Sequence, residues 1–193
     1  MGEIKLKFEH EWLNSKFIQV KRIFTLPSFH PTRFLESDIA IMELMKPVEW
    51  SAEIRPVCLP SPEDYHKTKA ELWGFVSGFG INSTTKHESE DLRYTSLKIQ
   101  SDKTCSKEPQ VEENTFCAGI LGKTNDACKG DAGGPFVLRL PDDRSETTFS
   151  YYLMGIVSHG PTCGETDGFG FYTKVSAYLR WINEKIAEIE KTG

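Results

Sequence analysis

Short apolar runs separated by turn-forming segments constrain this chain more than any other feature. The runs are Phe17–Phe24, Ile39–Met45, Leu72–Val76, Phe136–Leu140 and Tyr151–Val157. Residues 26–31, 58–65, 78–91, 139–150 and 158–170 lie between them and are rich in Pro, Gly, Ser, Asn and Asp. Each run is too short for a typical helix, and repeated short runs bounded by turn residues predict an all-β sandwich or barrel. Two stretches break the pattern. Residues 101–104 read as a capped single turn of helix. Near the end, Val175, Tyr178, Leu179, Ile182, Ile186 and Ile189 recur at helical spacing and predict one amphipathic helix. Lys185 and Lys191 sit toward its C-terminus, where cations suit the helix dipole.

Composition narrows the class. The 193 residues fit one domain, and 38% hydrophobic with 26% charged residues is a globular balance. A net charge of −5 offers no basic footprint for nucleic acid. No apolar run approaches the roughly 20 residues of a membrane helix, so no membrane partner is expected. The first residues lack the apolar core of a signal peptide. No internal repeat or linker divides the chain. The acidic stretches 61–65 and 87–91 read as solvated surface, or alternatively as an exosite for a basic partner.

The five cysteines are Cys58, Cys105, Cys117, Cys128 and Cys163. They form no C-x-x-C pair and no histidine stands at finger spacing, which argues against a metal site. An odd count suggests two internal bridges and one sulfur with a partner outside the chain; five reduced, buried thiols are the alternative. A sequon at Asn82 adds a glycosylation site and points to a secreted setting.

Residues 126–135 read Asp-Ala-Cys-Lys-Gly-Asp-Ala-Gly-Gly-Pro. Packed glycines beside an aspartate make a tight turn whose amides can converge on a developing oxyanion. A bare Gly-rich turn is as often only a turn. This segment, however, resembles the G-D-S-G-G-P signature of the chymotrypsin-like serine proteases. Further similarities follow in order: Ser37-Asp38-Ile39-Ala40-Ile41, Arg55-Pro56-Val57-Cys58-Leu59-Pro60, Gly74 to Gly80, Phe116-Cys117-Ala118-Gly119, Ile156 to Gly160, and Phe171 to Ile182. The resemblance runs from about Phe17 onward and has the flavour of complement and coagulation proteases.

The resemblance implies two six-stranded antiparallel β-barrels, the first incomplete here, with a C-terminal α-helix. Residues 1–193 would be one trypsin-like domain: 1–55 a remnant of the first barrel, 56–174 the connector and second barrel, and 175–189 the helix. Asp38 would be the aspartate that orients a catalytic histidine. The amides of Gly130 and Ala132 would form the oxyanion hole. Asp126 would floor a pocket for Arg or Lys, lined by Ser158, Gly160 and Gly170. Cys105 would pair with Cys117 and Cys128 with Cys163. Cys58 would link to an upstream partner chain. No cofactor or metal is implied, and the implied partner is a protein substrate or inhibitor with an exposed basic residue.

Two departures bear on activity. The nucleophile position holds Ala132, which has no hydroxyl to acylate. No T-A-A-H-C segment occurs, and none of His10, His30, His66, His87 and His159 stands in such a context. His10 reads as an exposed loop residue, and His159 takes the place of a family Trp beside the pocket. The activation N-terminus that would pair with Asp131 is also not found, so Asp131 is expected to lack its partner and the turn to relax as in a zymogen. Strands missing from the first barrel would leave open edges. The chain thus reads as an inactive form of a trypsin-like endopeptidase or, alternatively, a secreted haptoglobin-like pseudoprotease that binds partners. An aberrant, poorly folded product is the third reading.

Overall fold

The computed structural model describes residues 3–6, 16–29, 37–69, 72–81, 87–105, 113–123, 126–142, 145–160 and 168–192. Within them the chain is mostly β. Strands β1 (Glu3–Leu6), β2 (Lys16–Thr25) and β3 (Ala40–Leu44) form one antiparallel sheet in that order. Strands β4 (Trp73–Gly78), β5 (Arg93–Lys98), β6 (Thr115–Ala118), β7 (Pro135–Asp142), β8 (Ser145–His159) and β9 (Gly170–Lys174) form a second, ordered β5-β4-β7-β8-β9-β6. All its pairings are antiparallel. Beyond β5, Ile99 bridges back to Ala118 on β6, so the sheet curls until its two edges meet. The turn-bounded runs predict such an all-β chain, and the curled six-stranded sheet fits the trypsin-like fold that the resemblance implies.

The interior of the curled sheet explains its stability. Val76, Leu97, Ile99, Phe116, Phe136, Leu138, Met154 and Tyr172 are buried in one cluster. Phe116, Phe136 and Tyr172 meet with ring centroids 4.9–5.3 Å apart. Edge-on and offset contacts at this separation satisfy the ring quadrupoles, and each fully buried large side chain contributes roughly 1.5–3 kcal/mol.

A second cluster joins the two sheets. Ile39, Val175, Tyr178 and Ile182 are buried together, with Leu26, Ile41, Leu153, Ile156 and Trp181 packed on them. The C-terminal segment starts as a tight helical turn over Val175–Tyr178 and continues as the α-helix Leu179–Thr192, which we label α2. The short helix α1 (Asp102–Cys105) is capped by Ser101, whose Oγ accepts from the Thr104 amide at 3.2 Å. Ile186, placed by periodicity on the buried face, is 40% exposed. Its neighbour Lys185 instead lies over the Phe24 ring at 5.4 Å. Phe17, Ile23 and Met42 of the three-stranded sheet are each at least half exposed. No helix among the described residues is long and apolar enough to cross a membrane.

Candidate active site

The glycine-rich segment is a hydrogen-bonded turn between the Asp126 region and β7. The Gly134 amide donates to the Asp131 carbonyl at 2.8 Å, closing residues 131–134. Gly133 supplies the positive φ of +83° that the third position of such a turn demands. The Gly133 amide donates to Val157 O, and the Val157 amide donates to Gly134 O, each at 2.9 Å. The turn is therefore stitched onto β8.

Asp131 is the hub of this turn. Its carboxylate accepts from the Gly80 amide at 2.7 Å and the Cys128 amide at 2.8 Å. A Cβ on Gly80 would stand 2.6 Å from this carboxylate, so only glycine lets the two segments approach. Two main-chain donors hold the carboxylate, rather than the N-terminal amine that the resemblance pairs with it. Charge-assisted bonds of this kind offset its removal from water. The neighbouring amides of Gly130, at φ +97°, and Ala132 donate to no acceptor among the described residues. Ala132 itself is exposed.

Asp126 begins the segment. Its Oδ1 accepts from the Ala127 amide at 2.7 Å. Burial, followed by the nearby Asp131 charge, pushes its carboxyl up to about 6 against the pull of that amide. The same Oδ1 lies 2.8 Å from where a Cβ on Gly170 would stand, and the Tyr172 hydroxyl lies 3.1 Å from that point. Gly160 comes against the Gly170 backbone, with its own Cβ position 3.4 Å from Gly170 Cα. The structure thus gathers Asp126, Gly160 and Gly170. It adds Tyr172, whose role the sequence reading did not see. Burial raises the Tyr172 phenol well above its ordinary value, and the charges of Asp126 and Asp131 act in the same direction.

Ser158 turns elsewhere. Its Oγ donates to Asp38 Oδ2 at 2.7 Å and lies 3.1 Å from His159 Nδ1. Asp38 precedes β3, and its carbonyl accepts from Thr173 Oγ1 at 2.9 Å. With the serine proton committed to Asp38, His159 Nδ1 must carry the hydrogen that it shares with Ser158. That leaves His159 Nε2 bare, and it is buried without a partner among the described residues. The ring stacks on Phe171 at 4.8 Å, and burial lowers its basicity, partly countered by Asp38. His66 and His87 are exposed on the surface, while His10 and His30 lie outside the described residues.

Cys105 and Cys117 are joined by a disulfide with Cα atoms 5.8 Å apart. Cys128 is disulfide-bonded, and Cys163 lies outside the described residues. Cys58 is free and exposed. The Asn82 sequon also lies outside the described residues.

A curled antiparallel sheet carrying a Gly-Asp-Ala-Gly-Gly turn beside a partly buried aspartate defines a protein of the chymotrypsin-like architecture. Comparison with known proteins agrees. The trypsin family profile matches residues 7–182. The chain is 36% identical to human transmembrane protease serine 11A, with 94% of this chain and 44% of that protein covered. It is 32% identical to mouse vitamin K-dependent protein C over 97% of this chain and 40% of that protein. It is 37% identical to the mouse complement C1r-A subcomponent over 88% of this chain and 24% of that protein. The chain belongs to the trypsin family, and it spans less than half the length of these relatives.

Proposed function

We propose that this chain is a trypsin-like serine endopeptidase domain whose Asp126 pocket takes the side chain of Arg or Lys in a protein substrate or inhibitor. In this form, with Ala132 in the nucleophile position, it holds that chain without cleaving it. The observation that carries the reading is the partly buried Asp126 carboxylate, which has no cation beside it among the described residues and faces a wall built from Gly160 and Gly170. A desolvated carboxylate is stabilised by a cationic partner, and the glycines leave room for a long side chain. The free amides of Gly130 and Ala132 would receive the carbonyl oxygen of the bound residue. Alanine offers no oxygen to acylate; in subtilisin, an unrelated enzyme, losing the nucleophile lowers turnover on the order of 10⁶-fold.

Thermal unfolding with benzamidine tests the pocket. At about 100-fold excess over Kd the ligand should add about 2.7 kcal/mol. For a chain this size that is a rise in Tm of roughly 5–10 °C. No shift at saturating ligand overturns the reading.

A second reading is a pseudoprotease that binds partners, and Ala132 favours it. Asp38, bonded to Ser158 rather than to a histidine among the described residues, fits it too. The variant Ala132→Ser, assayed on an arginine ester, tests the missing base. No turnover is expected on either reading, because none of the histidines stands in the context of a catalytic base. Turnover comparable to trypsin overturns the missing-base argument and removes the pseudoprotease reading. The disulfide Cys105–Cys117 favours an extracellular setting, with Asn82 the proposed glycosylation site. Exposed Cys58 is the proposed link to a partner chain.

A further inference from the structure

Asp126 is partly buried, and little around it offsets its charge. Asp131, also a carboxylate, comes from the same turn, and Tyr172 comes from β9. No Lys or Arg among the described residues acts on the Asp126 carboxyl. One main-chain amide, that of Ala127, donates to it. The Tyr172 hydroxyl, which flanks the same point beside Gly170 as Asp126 Oδ1, is buried and has no hydrogen-bond partner among the described residues. Two carboxylates, an orphaned hydroxyl and a single amide donor leave an ionised Asp126 poorly compensated while the pocket is empty.

We infer that the pocket is proton-coupled: in mildly acidic solution the empty pocket holds Asp126 as a neutral carboxyl, and a guanidinium, amidinium or ammonium group enters as that proton leaves for solvent. The exchange balances. The carboxyl O–H bond breaks, the proton goes to bulk buffer, and the incoming cation takes the proton's place as the counter-charge. The inference rests on the pocket reading above and adds its regulation. Occupancy by a basic side chain is weakened in acidic surroundings, through the pocket floor and with no change at Ala132.

Calorimetric titration with benzamidinium, which stays cationic throughout, tests this at about pH 5 and about pH 7.5 in two buffers of different ionisation enthalpy. The expected result is release of about one proton per ligand at the lower pH and almost none at the higher. Binding should be about tenfold weaker at pH 5 than at pH 7, because only the ionised fraction is competent. Binding without proton release at the lower pH overturns the coupling and leaves the pocket reading standing. Absence of binding at both overturns the two together. Asp126→Asn should abolish the proton release; release that persists there assigns the proton to another group and overturns the inference. Where Asp126→Asn no longer binds, carboxyl-carbon NMR of the ligand-free protein decides. A resonance titrating near pH 6 in the parent and missing from the variant supports the coupling, and its absence from the parent overturns it.

Discussion

Ser158 Oγ donates to Asp38 Oδ2 over 2.7 Å, joining residues 120 positions apart in sequence. With the Thr173 hydroxyl on the Asp38 carbonyl, this bond ties the lead-in to β3 to both β8 and β9. The aspartate that the resemblance assigns to catalysis thus also serves as a clasp between the two sheets.

The clasp predicts the effect of Ser158→Ala. The Asp38 carboxylate would lose its serine donor, and an unmet partly buried acceptor costs about 1–3 kcal/mol. Urea unfolding should show the midpoint falling with the m-value unchanged. Nitrogen NMR of His159 gives an independent reading, because its Nδ1–H loses its acceptor. A variant with unaltered stability and an unaltered His159 spectrum would show that the clasp carries nothing.

Gly80→Ala probes the glycine turn. The new Cβ would stand 2.6 Å from the Asp131 carboxylate, so that side chain or the segment around residue 80 must move. The expected outcome is a loss of about 1–3 kcal/mol, the usual range for overpacking. Benzamidine binding should weaken as well, since Asp131 holds Cys128 and the Asp126 stretch in place through the Cys128 amide. Retained stability together with retained binding contradicts the hub role of Asp131.

How much of this was open to sequence reading depends on how local each cause is. The runs Phe17–Phe24, Ile39–Met45, Leu72–Val76, Phe136–Leu140 and Tyr151–Val157 all fall within or across strands, because hydrophobic burial leaves its period in the residues themselves. Strand β5 left little trace: Tyr94 is 76% exposed, and among its inward residues Thr95 is polar while Leu97 is fully buried. The tertiary relationships were less legible. The glycine turn was visible, but nothing near Asp131 signals that the Gly80 amide, 51 residues away, would satisfy it. Tyr172 was missed although a signal existed. Gly170 and Tyr172 are two apart on one strand and share a face, so a pocket wall at Gly170 implies Tyr172 beside it.

The Cys105–Cys117 bridge predicts a measurable share of stability. It encloses a sequence separation of 12 residues, for which chain entropy suggests roughly 3 kcal/mol. The paired variant Cys105→Ala with Cys117→Ala removes the bridge without leaving a lone thiol. Its unfolding midpoint should fall accordingly, and Phe169 and Phe171, buried against the same sulfurs, should become more accessible to hydrogen exchange. A paired variant as stable as the parent would place the stabilisation elsewhere.

Stability should also depend on pH through Asp126, with an unusual sign. Its folded value of about 6 lies above the ordinary value of 3.8, so the native state holds a proton that the unfolded chain has released. Between those values the unfolded state binds fewer protons, and stability falls as pH rises through the window. An ordinary paired carboxylate does the opposite; Glu43, lowered by hydrogen bonds from Arg22 and Lys21, contributes stability that is lost on acidification. The two trends oppose each other in the whole protein, so the informative quantity is the difference between the parent and Asp126→Asn. Asparagine cannot titrate. The parent should therefore lose on the order of 2 kcal/mol relative to the variant as pH is raised from about 4 to about 7, with no further change above. Unfolding curves of both proteins across that range measure it directly. Parallel curves would show that Asp126 titrates as an ordinary surface carboxylate, which would remove the electrostatic basis of the proton-coupled pocket.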